Sequence, residues 1–134
     1  VAMVSVSSNT QSATAGARKL LEENPQINVL VGFNEWSTLG VGMAIKELGL
    51  KDRVCAIGFD NNTECVGMLE TGELDTLIVQ NPFSMGYLAV MNAANILSGK
   101  KTESVIKTDV YVVDRSNMFS ADVQKILFGF DKYD

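Results

Sequence analysis

The sequence predicts an α/β fold in which helices cover both faces of a mostly parallel sheet, giving three layers. Two patterns lead to this prediction. Short apolar runs that suit buried strands alternate with stretches whose apolar residues have helical spacing, and each run ends in residues typical of turns. The chain has 134 residues, enough for one compact domain with its own core, and no low-complexity stretch divides it.

The first half of the chain alternates between predicted strands and helices. The predicted elements are a strand at 1–6, a helix at 13–23, a strand at 27–33, a helix ending at 48 and a strand at 54–58. Asn24-Pro25 stops the first helix, because the residue before a proline disfavours helical geometry. Either Asn34 or Ser37 can cap the second helix, and Gly49 ends it.

The second half continues the same alternation. The predicted elements are a helix at 63–70, a strand at 74–79, a helix at 83–97, a strand at 105–113 near an edge of the sheet and a short helix at 121–127. Asn62 or Thr63 can cap the first of these helices, Gly72 ends it, and Ser120 can cap the last. We expect the tail from residue 129 to be loose or docked only by its aromatic residues.

Composition narrows the function classes. The net charge is -5 with no basic cluster, so nucleic acid is not expected as a partner. The two cysteines, Cys55 in a strand and Cys65 on a helix, are expected to be free thiols, with Cys55 buried. Without histidine or a Cys-x-x-Cys pair, neither a metal site nor a familiar nucleophile–base pair is predicted. No glycine-rich phosphate loop is present, so no cofactor is predicted and the chain is not expected to be an enzyme.

Three predicted strands end in polar side chains, at Asn34, Asp60 and Gln80. The carboxyl ends of parallel strands share one rim of an open sheet, where ligands bind. Aromatic residues flank these positions at Phe33, Trp36, Phe59 and Phe83. A sugar needs in-plane hydrogen bonds to its hydroxyls and a flat apolar surface for its C–H face, and this combination offers both.

Each of these residues also has a purely structural interpretation. Asp60 and Asn34 are good helix caps, and Gln80 can satisfy loop backbone. For Phe33 an ordinary core position is favoured. Glu35 can serve as a first-turn charge, and nothing in the sequence makes it converge with Asp60 on a bond to be broken.

Longer segments resemble a known family. Asn34-Glu-Trp-Ser-Thr-Leu-Gly40, then Ala56-Ile-Gly-Phe-Asp60, then Leu69-Glu-Thr-Gly-Glu-Leu-Asp-Thr-Leu-Ile-Val-Gln80 with Asn81-Pro-Phe-Ser-Met-Gly86 are similar to the C-terminal half of type I periplasmic sugar-binding proteins. The resemblance runs from about residue 1 to residue 117. It implies a flavodoxin-like lobe, apparently incomplete, with residues 1–134 forming the C-terminal part of a two-lobed solute-binding protein.

The resemblance also implies roles for particular residues. Asn34, Phe59, Asp60 and Gln80 would contact a bound sugar. Gln80 would lie where the chain crosses the hinge, so the helix from Phe83 would belong partly to the N-terminal lobe of the same parent protein. Two lobes would close over the sugar, and a membrane permease or sensor would read the closed form. The location implied is periplasmic, or extracellular and membrane-anchored.

Two departures from the family pattern lead to further expectations. The chain starts at Val1 and lacks both the first lobe and the βα unit that usually precedes the strand predicted at 1–6. These departures suggest a fragment in which a central strand position of the sheet is empty. We therefore expect the fragment to form a homodimer by exchanging elements, or to repack its last strand and crossing helix.

The alternative function is that of the effector domain of a LacI-type regulator. Such domains usually carry a proline-rich segment where this chain has Met68–Asp75. An enzyme or receiver domain on the same architecture ranks lower, because Ser5–Ser8 stands where a receiver needs acidic residues.

Overall fold

A computed structural model of the chain describes residues 2–129, and five α-helices and four β-strands form within them. In chain order they are α1 (Thr10–Glu23), β1 (Val29–Val31), α2 (Glu35–Leu48), β2 (Cys55–Phe59), α3 (Thr63–Thr71), β3 (Thr76–Gln80), α4 (Pro82–Leu97), β4 (Val110–Asp114) and α5 (Ala121–Phe128). The chain forms two compact units. The first comprises the described residues up to 79 together with 112–129, and the second runs from Gln80 to Tyr111.

The sheet is open and has the strand order β1-β2-β3-β4. β1 pairs with β2 and β2 pairs with β3, both in parallel. Crossovers between neighbouring parallel strands are right-handed, so α2 and α3 lie on the same face of the sheet. The predicted α/β fold with a mostly parallel sheet is confirmed.

The core of the first unit lies between the sheet and its crossover helices. Its fully buried side chains include Ile45, Val54, Leu69, Leu74, Leu77, Val79, Val113 and Met118. α1 packs on α2 rather than on the sheet, and a Cβ atom at Gly40 would lie 2.4 Å from the Cβ of Ala13. The small residues at this crossing let the two helix backbones approach closely, which explains why a glycine is tolerated in the middle of α2.

The strand predicted at residues 1–6 is wrong for the part that the structure describes. Val1 lies outside the described residues, and residues 2–7 are irregular. Val4 and Val6 lie against α1 near Gly16, where an added Cβ atom would be 2.6 Å from Val6 Cγ1. An apolar alternating segment becomes a strand only when another strand supplies its hydrogen bonds, and no described strand pairs with this one.

Two other strands are shorter than predicted, and the side chain of Cys55 is exposed where burial was predicted. β1 covers only Val29–Val31 of the predicted 27–33, because the chain turns at Phe33 to begin α2. β4 begins at Val110 and not at residue 105. Cys55, expected to be buried, is exposed at the first position of β2, while Cys65 is buried on α3. Both thiols are free, as predicted. The predicted tail lies outside the described residues apart from Gly129.

The second unit consists of α4 and an extended segment. Asn81 caps α4 by accepting a hydrogen bond from the Ser84 amide (3.0 Å), and Pro82 occupies the first turn. None of the sixteen residues of α4, all of them described, is buried, and the helix carries no charged side chain. One side of α4, with Met85, Leu88 and Asn92, borders an open groove of about 300 Å³ that Ile106 and Thr108 also line.

No helix within residues 2–129 is long and apolar enough to span a membrane.

Candidate functional site

The candidate site lies where β1 and β2 end and α2 begins. Val31 is aligned with Ile57 in the parallel register, and the three residues that follow each of them lead from β1 and β2 to the same edge of the sheet. These residues are Gly32-Phe33-Asn34 and Gly58-Phe59-Asp60, two copies of a Gly-Phe-Asx triplet. The structure therefore brings Asn34, Phe59 and Asp60 to one edge of the sheet, as the sequence predicted.

The two phenylalanines of the triplets form an aromatic pair. Their ring centroids are 6.0 Å apart and the rings are tilted by 34°. The side chain of Phe33 is 74% exposed, so the core position predicted for it is wrong. The reason is that β1 ends at Val31, two residues earlier, and Phe33 no longer belongs to the sheet. Trp36, in the first turn of α2, is 42% exposed. The site thus presents apolar ring surface beside polar groups.

Asn34 caps α2 through a reciprocal pair of hydrogen bonds. Its Oδ1 accepts from the Ser37 amide (2.9 Å), and the Ser37 hydroxyl accepts from the Asn34 amide (3.0 Å). The capping interpretation of this residue is confirmed, with Asn34 and Ser37 acting together. The Nδ2 group of Asn34 has no hydrogen bond to a described residue and remains able to donate.

Asp60 supports α2 from the neighbouring strand. Its Oδ2 accepts a hydrogen bond from the Glu35 amide (3.0 Å) at the start of the helix, where the helix dipole favours a negative charge. Its own amide donates to the Ile78 carbonyl of β3 (3.1 Å). With φ of 71°, Asp60 is the only non-glycine residue at positive φ in the described part of the chain. Such a conformation persists only where its surroundings enforce it, and it is common at ligand sites.

The two residues that follow Asp60 are also fixed in place by hydrogen bonds from their side chains. Asn61 Nδ2 donates to the carbonyl of Leu127 (2.7 Å) at the end of α5. Asn62 Oδ1 caps α3 by accepting from the Glu64 amide (2.7 Å), and its Nδ2 donates to Glu35 Oε1 (2.7 Å). The turn after β2 is thus bonded to α2, α3 and α5, which limits its freedom to move.

The electrostatic environment of this turn is acidic. Burial, the largest cause, and the nearby carboxylates of Glu35, Glu64 and Asp60 together raise the pKa of the Cys65 thiol to about 12. A thiol with such a pKa stays protonated at neutral pH and is a poor nucleophile. The same carboxylates disfavour an anionic ligand at this edge of the sheet.

Gln80 and Phe83 lie at the start of the second unit. Gln80 is the last residue of β3 and is exposed, and Phe83 is 73% exposed in the first turn of α4. Contact of Gln80 with a sugar stays a prediction.

Sequence reasoning missed Thr38, Gly32 and Gly58. The hydroxyl of the fully buried Thr38 accepts from the Phe59 amide (2.9 Å) and donates to the Phe59 carbonyl (3.1 Å). Cβ atoms at Gly58 and Gly32 would lie 2.2 Å and 2.6 Å from atoms of Thr38. The repetition of the Gly-Phe-Asx triplet was the available signal, because it marks two strands that end in the same way.

The chain resembles proteins of known function over most of its length. The family model for the periplasmic binding protein domain matches residues 2–101. The ribose import binding proteins RbsB of Haemophilus influenzae and Bacillus subtilis are 31% and 34% identical over 70% and 65% of the chain. The chain spans 32% and 28% of the length of these two curated relatives.

A similar solved structure is that of an ABC transporter solute-binding protein from Agrobacterium vitis with bound D-fucose. Its sequence identity is 30% and its TM-score is 0.82, over 96% of this chain and 44% of that one. The family match covers well over half of the 134 residues, and the open parallel sheet agrees with it. The chain belongs to the periplasmic binding protein domain family.

Proposed function

We propose that the chain is one lobe of a two-lobed solute-binding protein and that it binds a small uncharged sugar at the ends of β1 and β2. The observation that carries this proposal is the Asp60 carboxylate. Its Oδ2 is held by the Glu35 amide, while its Oδ1 has no hydrogen-bond partner among the described residues. A carboxylate oxygen fixed in this way can accept from two neighbouring hydroxyls of a sugar.

The surroundings of Asp60 support a sugar rather than another solute. Phe59 and Phe33 supply ring surface for a C–H face, and the Nδ2 group of Asn34 supplies a donor. The acidic neighbours Glu35 and Glu64 argue against a phosphorylated sugar or a sugar acid. The relatives named above, which bind ribose or D-fucose according to their descriptions, support the same class of ligand.

Calorimetric titration of the full-length parent protein with ribose, allose, arabinose and fucose tests this proposal. Binding of one sugar by the parent and its loss in Asp60→Ala are the expected results. Asp52→Ala is the matched control, because Asp52 is an exposed aspartate in the turn before β2 and should leave affinity unchanged. Unchanged affinity in Asp60→Ala would remove Asp60 from the site, and absence of binding to any of these sugars would overturn the proposal.

The proposed partner within the parent protein is its N-terminal lobe, and its contact surface is α4. This helix carries no charge and buries none of its residues, although Phe83, Tyr87, Val90, Ile96 and Leu97 are large and exposed. An uncharged helix with this many large exposed apolar side chains is normally covered by other protein. Gln80, at the start of this unit, would then contact the sugar from the hinge, and the 134-residue chain alone should bind sugar weakly.

For the chain on its own, the same exposed helix supports a homodimer. Light scattering coupled to size-exclusion chromatography is expected to show the mass of a dimer for the unmodified chain. Val90→Glu should give the mass of a monomer, because it places a charge in the middle of α4. Ser98→Glu, just beyond the helix, is the control that should leave the dimer intact. A clean, stable monomer of the unmodified chain would contradict the dimer.

In the cell, we place the parent protein in the periplasm, or outside the cell with a membrane anchor, where a permease or a membrane sensor recognises its closed form. The import binding proteins among its relatives favour this role over the effector domain of a LacI-type regulator. The sequence encoded before Val1 separates the two, since a regulator needs a DNA-binding helix-turn-helix there and an exported protein needs a signal peptide.

A further inference from the structure

Thr38 occupies a position in the sheet that β1 leaves vacant. Alternate residues of β2 face β1: the Cys55 amide donates to the Asn28 carbonyl, and the Ile57 carbonyl accepts from the Gly32 amide, each at 2.9 Å. Phe59 is the next residue to face that side. By then β1 has ended, and the chain has turned into α2.

The Thr38 hydroxyl supplies both missing hydrogen bonds. Its Oγ1 accepts from the Phe59 amide (2.9 Å) and donates to the Phe59 carbonyl (3.1 Å), in place of a carbonyl and an amide from β1. Thr38 is 0% exposed, so water cannot take over these roles. A side chain of the first turns of α2 thereby extends the hydrogen-bonding of β2 by one residue, up to the edge of the site.

Two glycines make this contact possible. A Cβ atom at Gly58 would be 2.2 Å from Thr38 Cγ2, and one at Gly32 would be 2.6 Å from the Thr38 backbone nitrogen. Any other residue at either position would push α2 away from the strands. The hydroxyl would then be too far from Phe59 to bond on both sides.

We propose that Thr38 is a positioning residue for sugar binding, an inference that rests on the function proposed above. By fixing both backbone polar groups of Phe59, it orients the Phe59 ring and holds the following residue, Asp60, in its left-handed conformation with Oδ2 on the Glu35 amide. Thr38 has no contact with the sugar in this role. It acts through Phe59 and Asp60.

Amide hydrogen exchange of the chain, measured by NMR, tests the positioning directly. The Phe59 amide should be protected in the unmodified chain and should exchange about tenfold faster in Thr38→Val, which keeps the shape and removes the hydroxyl. Thr38→Ser should retain the protection. Thr14→Val is the matched control, since it removes a threonine hydroxyl that bonds the Thr10 carbonyl (2.9 Å) and Met43 Sδ (3.7 Å) and has no bond to Phe59.

Calorimetry of the full-length parent supplies the second measurement. Thr38→Val should weaken sugar binding about tenfold, Thr38→Ser should restore it to within about twofold, and Thr14→Val should leave it unchanged. If Thr38 only stabilised the fold, Thr38→Val would have a lower unfolding temperature but the same sugar affinity as the unmodified protein below that temperature. That result would overturn the proposal.

The outcomes separate this inference from the proposed function. If the parent binds none of the sugars, the function fails, while the exchange data still decide whether Thr38 holds Phe59. Should Thr38→Val not fold, Thr38→Ala is the second variant. Rapid exchange of the Phe59 amide in the unmodified chain would overturn the inference without any variant.

Discussion

Replacing Asp60 should cost stability as well as sugar affinity, and two replacements separate the causes. Asp60→Ala removes the hydrogen bond to the Glu35 amide and places an alanine at φ of 71°. A hydrogen bond to a charged group contributes about 1.5–3 kcal/mol when buried, so about 1–2 kcal/mol is reasonable for this half-buried carboxylate. The left-handed conformation costs alanine roughly a further 1 kcal/mol.

Asp60→Gly loses the same hydrogen bond but adopts positive φ without strain. We therefore expect a loss of about 2–3 kcal/mol in unfolding free energy for Asp60→Ala and about 1 kcal/mol less for Asp60→Gly, with sugar binding abolished in both. Urea denaturation followed by circular dichroism measures the difference. Equal stability of the two variants would show that the backbone at this position is not constrained and would contradict a turn that is held by its hydrogen bonds.

Four other predictions test the helix cap, the close approach of α2, the reactivity of the two thiols and the dependence of stability on pH. Asn34→Ala should lower the unfolding free energy by about 1 kcal/mol while Asn34→Ser, another capping residue, loses less; equal losses in urea denaturation would exclude the cap. Gly58→Ala should destabilise by roughly 1–3 kcal/mol, and adding Thr38→Ser should recover part of the loss because it removes the methyl group 2.2 Å from the new Cβ; the absence of any recovery would contradict that contact. With Ellman's reagent, exposed Cys55 should react first and buried Cys65 only slowly, and a Cys55→Ser variant that still reacts rapidly would contradict this. The pKa of Cys65 is raised from 9.0 to about 12 in the folded chain, so the unfolded chain loses this proton at a lower pH. The free energy of unfolding should therefore fall as the pH rises from 9 to 12, and it should fall less in Cys65→Ala.

Local chemistry accounts for what the sequence could predict. The starts of α2 and α3 were predicted to within a pair of candidate caps, of which Asn34 and Asn62 are the N-caps, and the terminating glycines Gly49 and Gly72 were predicted outright, because a few neighbouring residues decide each. The placement of Asn34 and Asp60 at one edge of the sheet was predicted from the general geometry of parallel strands.

The errors concern features that depend on distant parts of the chain. Residues 2–6 have the alternation of a strand, yet no described strand pairs with them. Phe33 has the character of a core residue, but the length of β1 decides its exposure. Thr38 is separated by 21 positions from the strand residue that it holds, and nothing in its own neighbourhood in the sequence indicates that contact.

The glycines of the two Gly-Phe-Asx triplets set the position of the backbone, while the other residues supply the side chains of the site. This separation can be used in protein engineering. Gly32 and Gly58 determine how closely α2 approaches the sheet, so a larger residue at either position costs stability, and Asn34 and Asp60 hold the start of α2, whereas Phe33 and Phe59 present their rings from this fixed backbone. A combinatorial library that randomises positions 33 and 59 and retains both glycines, Asn34 and Asp60 should therefore yield mostly folded clones. Retuning the recognition of a solute then becomes a matter of exchanging side chains on an unaltered scaffold.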